Sequence, residues 1–327
     1  MVSKSHLLVA DIGGTHGRLA IASRDGASGE VSLAHLQSFE NDQFESLEVL
    51  LMHYLDSIPD AHPASLPEMA CLAVAGPNDG RRAYMINRDW EISADTIEAS
   101  CGLQRVQLVN DFAALAAAVP GLVADDLSAV HAGEAGVGPC AVIGPGTGFG
   151  VAQLVAGADD APTVVSTEGG HMALAPGNTL EQELWGYLQS RVDYVCVESV
   201  LSGPGLVRLH GFLSERTGEP AQEMTASQIS AQALAGSDSC CQASVQLFLG
   251  ILGGAVADIA LAQGATGGVY LGGGMLPRIA ALIPESELVP RFLAKGPLKP
   301  YLSKIPVHLI TAEHVALKGA ARLFCYS

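Results

Sequence analysis

Positive charge is scarce in this chain. Lys and Arg number 17 against 34 Asp and Glu, the formal net charge is −17 at pH 7, and no basic run exceeds Arg81-Arg82. Such a surface repels phosphate backbones and anionic lipid, which excludes nucleic acid and membrane as partners on electrostatic grounds. Cysteine pairs at metal or redox spacing are also missing. The seven cysteines (Cys71, Cys101, Cys140, Cys196, Cys240, Cys241 and Cys325) are scattered and odd in number, without a C-x-x-C pair. Neither a zinc knuckle nor a thioredoxin-like site is indicated, and reduced thiols in a cytoplasmic protein are the simplest account. No G-x-x-x-x-G-K-[ST] sequence occurs, which removes the P-loop enzymes. A signal peptide is not indicated either, because the apolar start at 7–10 is short and runs into Asp11. One apolar run, 245–262, needs a membrane test. It holds Gln246 and Asp258 and lacks close basic flanks, so it reads as a buried helix, with Gly250 and Gly254 placed for close packing.

What is present is ample core. With 327 residues and 49% hydrophobic content, the length points to two domains. The chain turns on Val106-Gln107-Leu108-Val109-Asn110-Asp111-Phe112. Residues 106–109 read as a buried strand and 113–119 as the helix that follows. Asn110 and Asp111 then lie at the carboxyl end of a strand, where α/β sheets keep their chemistry. Asp111 has two readings: an N-cap for the helix, or a general base that takes a proton from a bound hydroxyl.

Two glycine turns share one pattern. The strand 6–10 ends in Asp11, the turn Gly13-Gly14-Thr15 follows, and 18–22 is the returning strand of a β-hairpin. The strands 141–143 and 151–155 flank Gly144-Pro145-Gly146-Thr147-Gly148 in the same way. Gly14-Thr15-x-x-x-Leu19-Ala20 matches Gly146-Thr147-x-x-x-Val151-Ala152, which suggests two related lobes, each offering a phosphate loop. Such turns expose backbone N–H groups and a hydroxyl to phosphate oxygens. Asp11 cannot bind phosphate directly, but it can orient a hydrated Mg²⁺. A hairpin placement argues against a Rossmann site, whose glycines lie between strand and helix.

Other stretches supply carboxylates, a histidine and flat backbone. Glu168-Gly169-Gly170-His171 follows a strand at 163–166, and Glu198 precedes Leu201-Ser202-Gly203-Pro204-Gly205-Leu206. Gly272-Gly273-Gly274 ends a strand at 267–271 and leaves a surface on which a base and ribose can lie. Helices are expected at 44–55, at 94–99, from a capping box at Asn178-x-x-Glu181, from a second at Thr225-x-x-Gln228 through 235, and at 313–323. Further strands are expected at 69–75, 83–86 and 307–310. Asn87-Arg88-Asp89-Trp90 reads as a solvated loop with Trp90 on the core.

Taken in order, these motifs resemble the bacterial glucokinases of the hexokinase–actin-like ATPase superfamily, over residues 7–323. The resemblance implies an α/β, two-lobed actin-like (ribonuclease H-like) fold with a cleft between its lobes. The small lobe would be 1–111 plus 312–327 and the large one 112–311. It further implies ATP-dependent phosphorylation of the 6-hydroxyl of D-glucose. Asp111 would be the base, with Asn110, Glu168, His171 and Glu198 on the sugar hydroxyls. Gly13, Gly14, Thr15, Gly146, Thr147 and Gly148, with Asp11, would hold the ATP phosphates. Gly272, Gly273 and Gly274 would flank the adenosine, and Asp11 would hold Mg²⁺ through water. A cytoplasmic homodimer is implied as well. Two departures fall in the phosphate loops: His16-Gly17 stands where the family tends to have Asn-Ala, and Pro145 lies in the second loop. A repressor–kinase family shares Glu168-Gly169-Gly170-His171, but its zinc-binding cysteines are missing from 172–177. The remaining alternatives are a kinase of mannose or fructose and a non-catalytic actin-like sugar sensor.

Overall fold

Strand β1 (His6–Ile12) is apolar on both faces, as a strand covered on both sides must be. Leu8, Ala10 and Ile12 enter one core with Leu47, Leu50, Leu51 and Ile97; Leu7 and Val9 enter another with Ala114, Leu317 and Ala320. Around it lie β2 (His16–Arg24), β3 (Val31–Glu40), β4 (Met69–Val74) and β7 (Arg105–Asn110), in the order β3-β2-β1-β4-β7. β1, β2 and β3 are antiparallel neighbours, while β1, β4 and β7 run parallel. A small hairpin, β5 (Arg82–Tyr84) with β6 (Glu91–Ser93), precedes helix α2 (Ala94–Cys101).

The computed structural model describes residues 6–25, 30–58, 67–85, 90–157, 162–218 and 223–325. They fall into two units, Met1–Val123 with Ala312–Ser327, and Ala124–Thr311. The boundary therefore lies beyond the expected 111/112. The reason is helix α3 (Asp111–Ala118), which packs on the C-terminal helix Val315–Cys325. A Cβ added at Gly319 would strike the Ala114 carbonyl, and Arg322 Nη1 donates to Ala118 O at 3.2 Å. So close an approach holds α3 within the first unit.

Helix α1 (Leu47–Asp56) begins at the Ser46 cap, so Phe44 stays outside the predicted helix. Leu47, Leu50, Leu51 and Tyr54 are buried on one face, each such side chain contributing roughly 1.5–3 kcal/mol. Trp90 is buried as expected; Ile86, Asn87, Arg88 and Asp89 lie outside the described residues.

The second unit repeats the plan of the first. Its strands are β8 (Leu127–His131), β9 (Cys140–Pro145), β10 (Phe149–Ala156), β11 (Pro162–Thr167), β12 (Gly268–Leu271) and β13 (Val307–Ile310). Their order is β11-β10-β9-β12-β13-β8. Three antiparallel strands followed by two parallel ones match the first sheet strand for strand, so the motif repeat is a repeat of topology.

Helices α4 (Thr179–Gln189), α5 (Gly203–Thr217), α6 (Ala226–Ala235) and α7 (Ser239–Gln263) belong to this unit. α7 is long and apolar enough to cross a membrane, yet Val245, Phe248, Leu249, Leu252 and Val256 are core residues. Its closest approach is at Gly253, whose Cβ would meet Leu288 O, while Gly250 and Gly254 lie against Arg291. Thr225 and Gln228 form the predicted capping box. At α4 the box is altered: Asn178 caps Glu181 N at 2.9 Å, but the Glu181 carboxylate accepts from Gly177 N. It is also paired with Arg291 at 2.8 Å while only 4% exposed. The C-terminal helix starts at Val315, two residues beyond the predicted Glu313.

Candidate active site

The first unit carries two groups of candidate residues. β7 ends at Asn110, opposite Val74 in the parallel register, and α3 starts at once with Asp111. Asn110 takes the cap: its Oδ1 accepts from Phe112 N at 3.0 Å and Ala113 N at 3.1 Å. An Asn is among the best residues for that position. Asp111 is thus the first residue inside the helix, half-buried, with Oδ1 accepting from Phe112 N at 2.9 Å. The cap reading of Asp111 gives way to Asn110, and a carboxylate stands at the mouth of the sheet in the turn where the helix dipole favours negative charge.

The other group is the first glycine turn. β1 and β2 pair in register, with Ile12 opposite Gly17 and Asp11 opposite Arg18. Gly13 N donates to His16 O at 3.0 Å. The turn is held from outside by Asn41, whose N donates to Thr15 O at 2.9 Å and whose Nδ2 donates to Gly13 O at 2.8 Å. Gly17 departs from the family pattern for a spatial reason: a Cβ there would sit 3.1 Å from both Asn41 Oδ1 and Ile12 Cδ1. Asp11 Oδ2 is 3.3 Å from Arg18 Nη1. Burial raises the Asp11 carboxyl above its ordinary range, with Arg18 and His314 acting in the opposite direction.

The second unit gathers the remaining candidates at one end of β9 and β10. In the second turn Gly146 N donates to Gly148 O at 2.8 Å, and Gly203 N donates to Gly146 O at 2.9 Å. Glu198 reaches the same turn, its Oε2 accepting from Phe149 N at 2.7 Å. A Cβ on Gly148 would lie 2.5 Å from that oxygen, so glycine is required for the carboxylate to seat. Ser202 locks the segment by donating to Glu198 O at 2.8 Å and capping α5 through Gly205 N at 3.0 Å.

Gly169–His171 is one turn of 3-10 helix laid against β10. Its glycines permit the approach: a Cβ on Gly170 would strike Phe149 O, and one on Gly169 would lie 2.8 Å from Val151 Cγ2. Glu168 and His171, both exposed, flank this turn. The chain beyond it is tied toward Glu198, through Val197 N to Met172 O at 2.9 Å and Leu174 N to Val195 O at 3.2 Å. The run 272–274 joins the same region. Gly272 N donates to Ile143 O at 2.8 Å, and Gly273, at φ +83, presses on Pro145 O with no room for a side chain.

Asn110 with Asp111 therefore belongs to one unit, and Glu168, His171, Glu198, the second turn and the glycine run to the other. Sequence reasoning missed Asn41, Arg18 and the Phe149 amide. Arg18 was legible as the residue opposite Asp11 in a hairpin, whereas a single Asn before a helix carries no signal.

This pair of α/β units is the actin-like fold of sugar kinases. The structure superposes on a glucokinase from an Antarctic psychrotroph with a TM-score of 0.83, at 38% identity, covering 99% of each chain. It also shares its fold with a ROK-family glucokinase from Streptomyces griseus solved with glucose and AMPPNP, with a TM-score of 0.64 at 21% identity over 97% of this chain and 98% of that one. The chain belongs to the glucokinase family: the family model Glucokinase matches residues 8–325. A glucokinase of Caulobacter sp. strain K31 is 41% identical over 96% of this chain and 93% of its own length. One of Saccharophagus degradans is 40% identical over 96% of each.

Proposed function

We propose that this enzyme transfers the γ-phosphoryl group of ATP to the 6-hydroxyl of D-glucose, with Asp111 as the base. The observation that carries the assignment of Asp111 is the cap at Asn110. With Asn110 as the cap residue, Asp111 stands just inside the helix at the carboxyl end of the strand, where a carboxylate can serve as a base. It takes the proton of the attacking hydroxyl as the new P–O bond forms and the bond to the leaving ADP oxygen breaks.

The residues we assign to glucose are Asn110, Asp111, Glu168, His171 and Glu198. The Asn110 Oδ1 is committed to the cap, so its Nδ2 donors serve a sugar oxygen. Glu168 and Glu198 accept from sugar hydroxyls. The turns 13–15 and 146–148 take the ATP phosphates through backbone N–H groups and Thr15 and Thr147 hydroxyls. The run 272–274 lies along the adenosine, a role supported by its contact with the base of the second turn.

The donors near Asp11 suit a hydrated Mg²⁺. Asp11 Oδ2 faces Arg18, and Oδ1 makes no hydrogen bond among the described residues. Asp11 would hold the ion through water, and the ion would neutralise charge on the transferred phosphate. Cys101, Cys140, Cys196, Cys240 and Cys241 are free thiols, which supports a cytoplasmic location. A homodimer is the assembly the family reading favours.

The test is ADP release from Mg-ATP across a hexose panel. Release that requires glucose and yields glucose 6-phosphate supports the reading. A higher kcat/KM for mannose or fructose would reassign the substrate, and no sugar-dependent release would favour a non-catalytic sensor.

A further inference from the structure

We propose that His210, Asp238 and Cys241 form a binding site for a zinc-type divalent cation, apart from every residue assigned to sugar or nucleotide. His210 lies on α5, Asp238 is the N-cap of α7, and Cys241 is in the first turn of that helix. One donor atom of each lies within 4.8 Å of the other two. Zn²⁺ bonds of about 2.0–2.3 Å in tetrahedral geometry set N, O and S donors about 3.5 Å apart, so closing the site needs shifts of about an ångström.

Capping explains part of this cluster. Asp238 Oδ1 accepts from Cys241 N at 2.7 Å. It does not explain His210, which is 5% exposed and whose ring makes no hydrogen bond among the described residues. A largely buried imidazole beside a carboxylate and a thiol offers its nitrogen to an ion. The surroundings are soft: Cys241 Sγ is 4.0 Å from Met224 Sδ. Cys240 Sγ is engaged elsewhere, 3.4 Å from Ser214 Oγ and 3.9 Å from His210 O, which makes it a control for the wrong sulfur.

Charge and protons balance. Burial and the Asp238 carboxylate push the Cys241 thiol up to about 12, so it enters the reaction protonated. Hydrogen bonding, chiefly from Cys241 N, lowers the Asp238 carboxyl and keeps it ionised. On binding, the S–H bond breaks, the proton leaves to solvent and a metal–sulfur bond forms. One thiolate and one carboxylate then cancel the two charges of the ion, with neutral His210 the third ligand and water the fourth.

The test uses the full chain after chelator treatment, without nucleotide, titrated with Co²⁺ and then Zn²⁺. The expected result is a thiolate-to-cobalt charge-transfer band saturating at one ion per chain, displaced by Zn²⁺, with a zinc-dependent rise in Tm. Cys241→Ser and His210→Ala should abolish the band. Asp238→Asn, which keeps a good N-cap and so keeps the fold, should weaken binding at least tenfold. Cys240→Ser should retain both signals. Absence of the band at stoichiometric cobalt, its survival in Cys241→Ser or His210→Ala, an unchanged cobalt affinity in Asp238→Asn, or loss of the band in Cys240→Ser alone would overturn the site.

Discussion

Glu198 is joined to two functions at once, and a single-atom change separates them. Its Oε2 accepts from Phe149 N at 2.7 Å, directly after the turn 146–148, while the proposed reading also has it accept from glucose. Hydrogen bonds to a charged group are worth roughly 1.5–3 kcal/mol and neutral ones roughly 0.5–1.5 kcal/mol, so Glu198→Gln forfeits about 1–1.5 kcal/mol at each contact. That is about a tenfold change apiece. Glucose KM should therefore rise about tenfold, and ATP KM should rise severalfold because the phosphate turn loses part of its anchor. Glu168→Gln is the control: among the described residues its carboxylate has no hydrogen bond to the turn, so only glucose KM should move. A coupled assay of ADP release with each substrate varied in turn reads both constants. An unchanged ATP KM in Glu198→Gln, or an equal change in Glu168→Gln, would refute the anchoring argument.

Gly170→Ala should drive a methyl into the Phe149 carbonyl, costing about 1–3 kcal/mol of stability and weakening glucose binding, as read by Tm and calorimetry. Asn110→Ala should lose about 1 kcal/mol with its cap, whereas Asn110→Asp should restore Tm but not glucose affinity. If Asn110→Asp restores both, the Nδ2 donors have no role in sugar binding. The pH prediction concerns Asp11, whose folded carboxyl is raised above its ordinary value of 3.8 by burial. A raised acid destabilises the fold once pH exceeds its folded pKa and has no effect well below 3.8. Asp11→Asn should therefore match the parent Tm in acid and exceed it at neutral pH, while weakening Mg-ATP binding. A neutral-pH Tm below the parent's would contradict that sign.

The periodic and paired features were readable beforehand. Apolar strands, the two matching glycine turns and the cap at Thr225 are local patterns, and the turns even revealed that the two sheets share one plan. The division at 111/112 was not readable correctly, because it depends on how closely α3 meets a helix two hundred residues later. The same holds for Asn41, which reaches Gly13 O across a tertiary contact, and for Glu198, whose bond to Phe149 N joins residues far apart in sequence. Asp111 lay between two local readings. The geometry gives the cap position to Asn110, which no local pattern indicated.

The central claim is that Asp111 takes the proton, and the direct measurement is the kcat of Asp111→Asn beside its glucose affinity. The amide preserves the size of the side chain and its acceptor for Phe112 N, so folding and sugar binding should be largely retained. Loss of a general base lowers the rate by about 10²–10⁴. The account predicts that loss in kcat, with Tm and glucose affinity near the parent's. A variant that turns over glucose at nearly the parent rate would remove Asp111 from the chemistry.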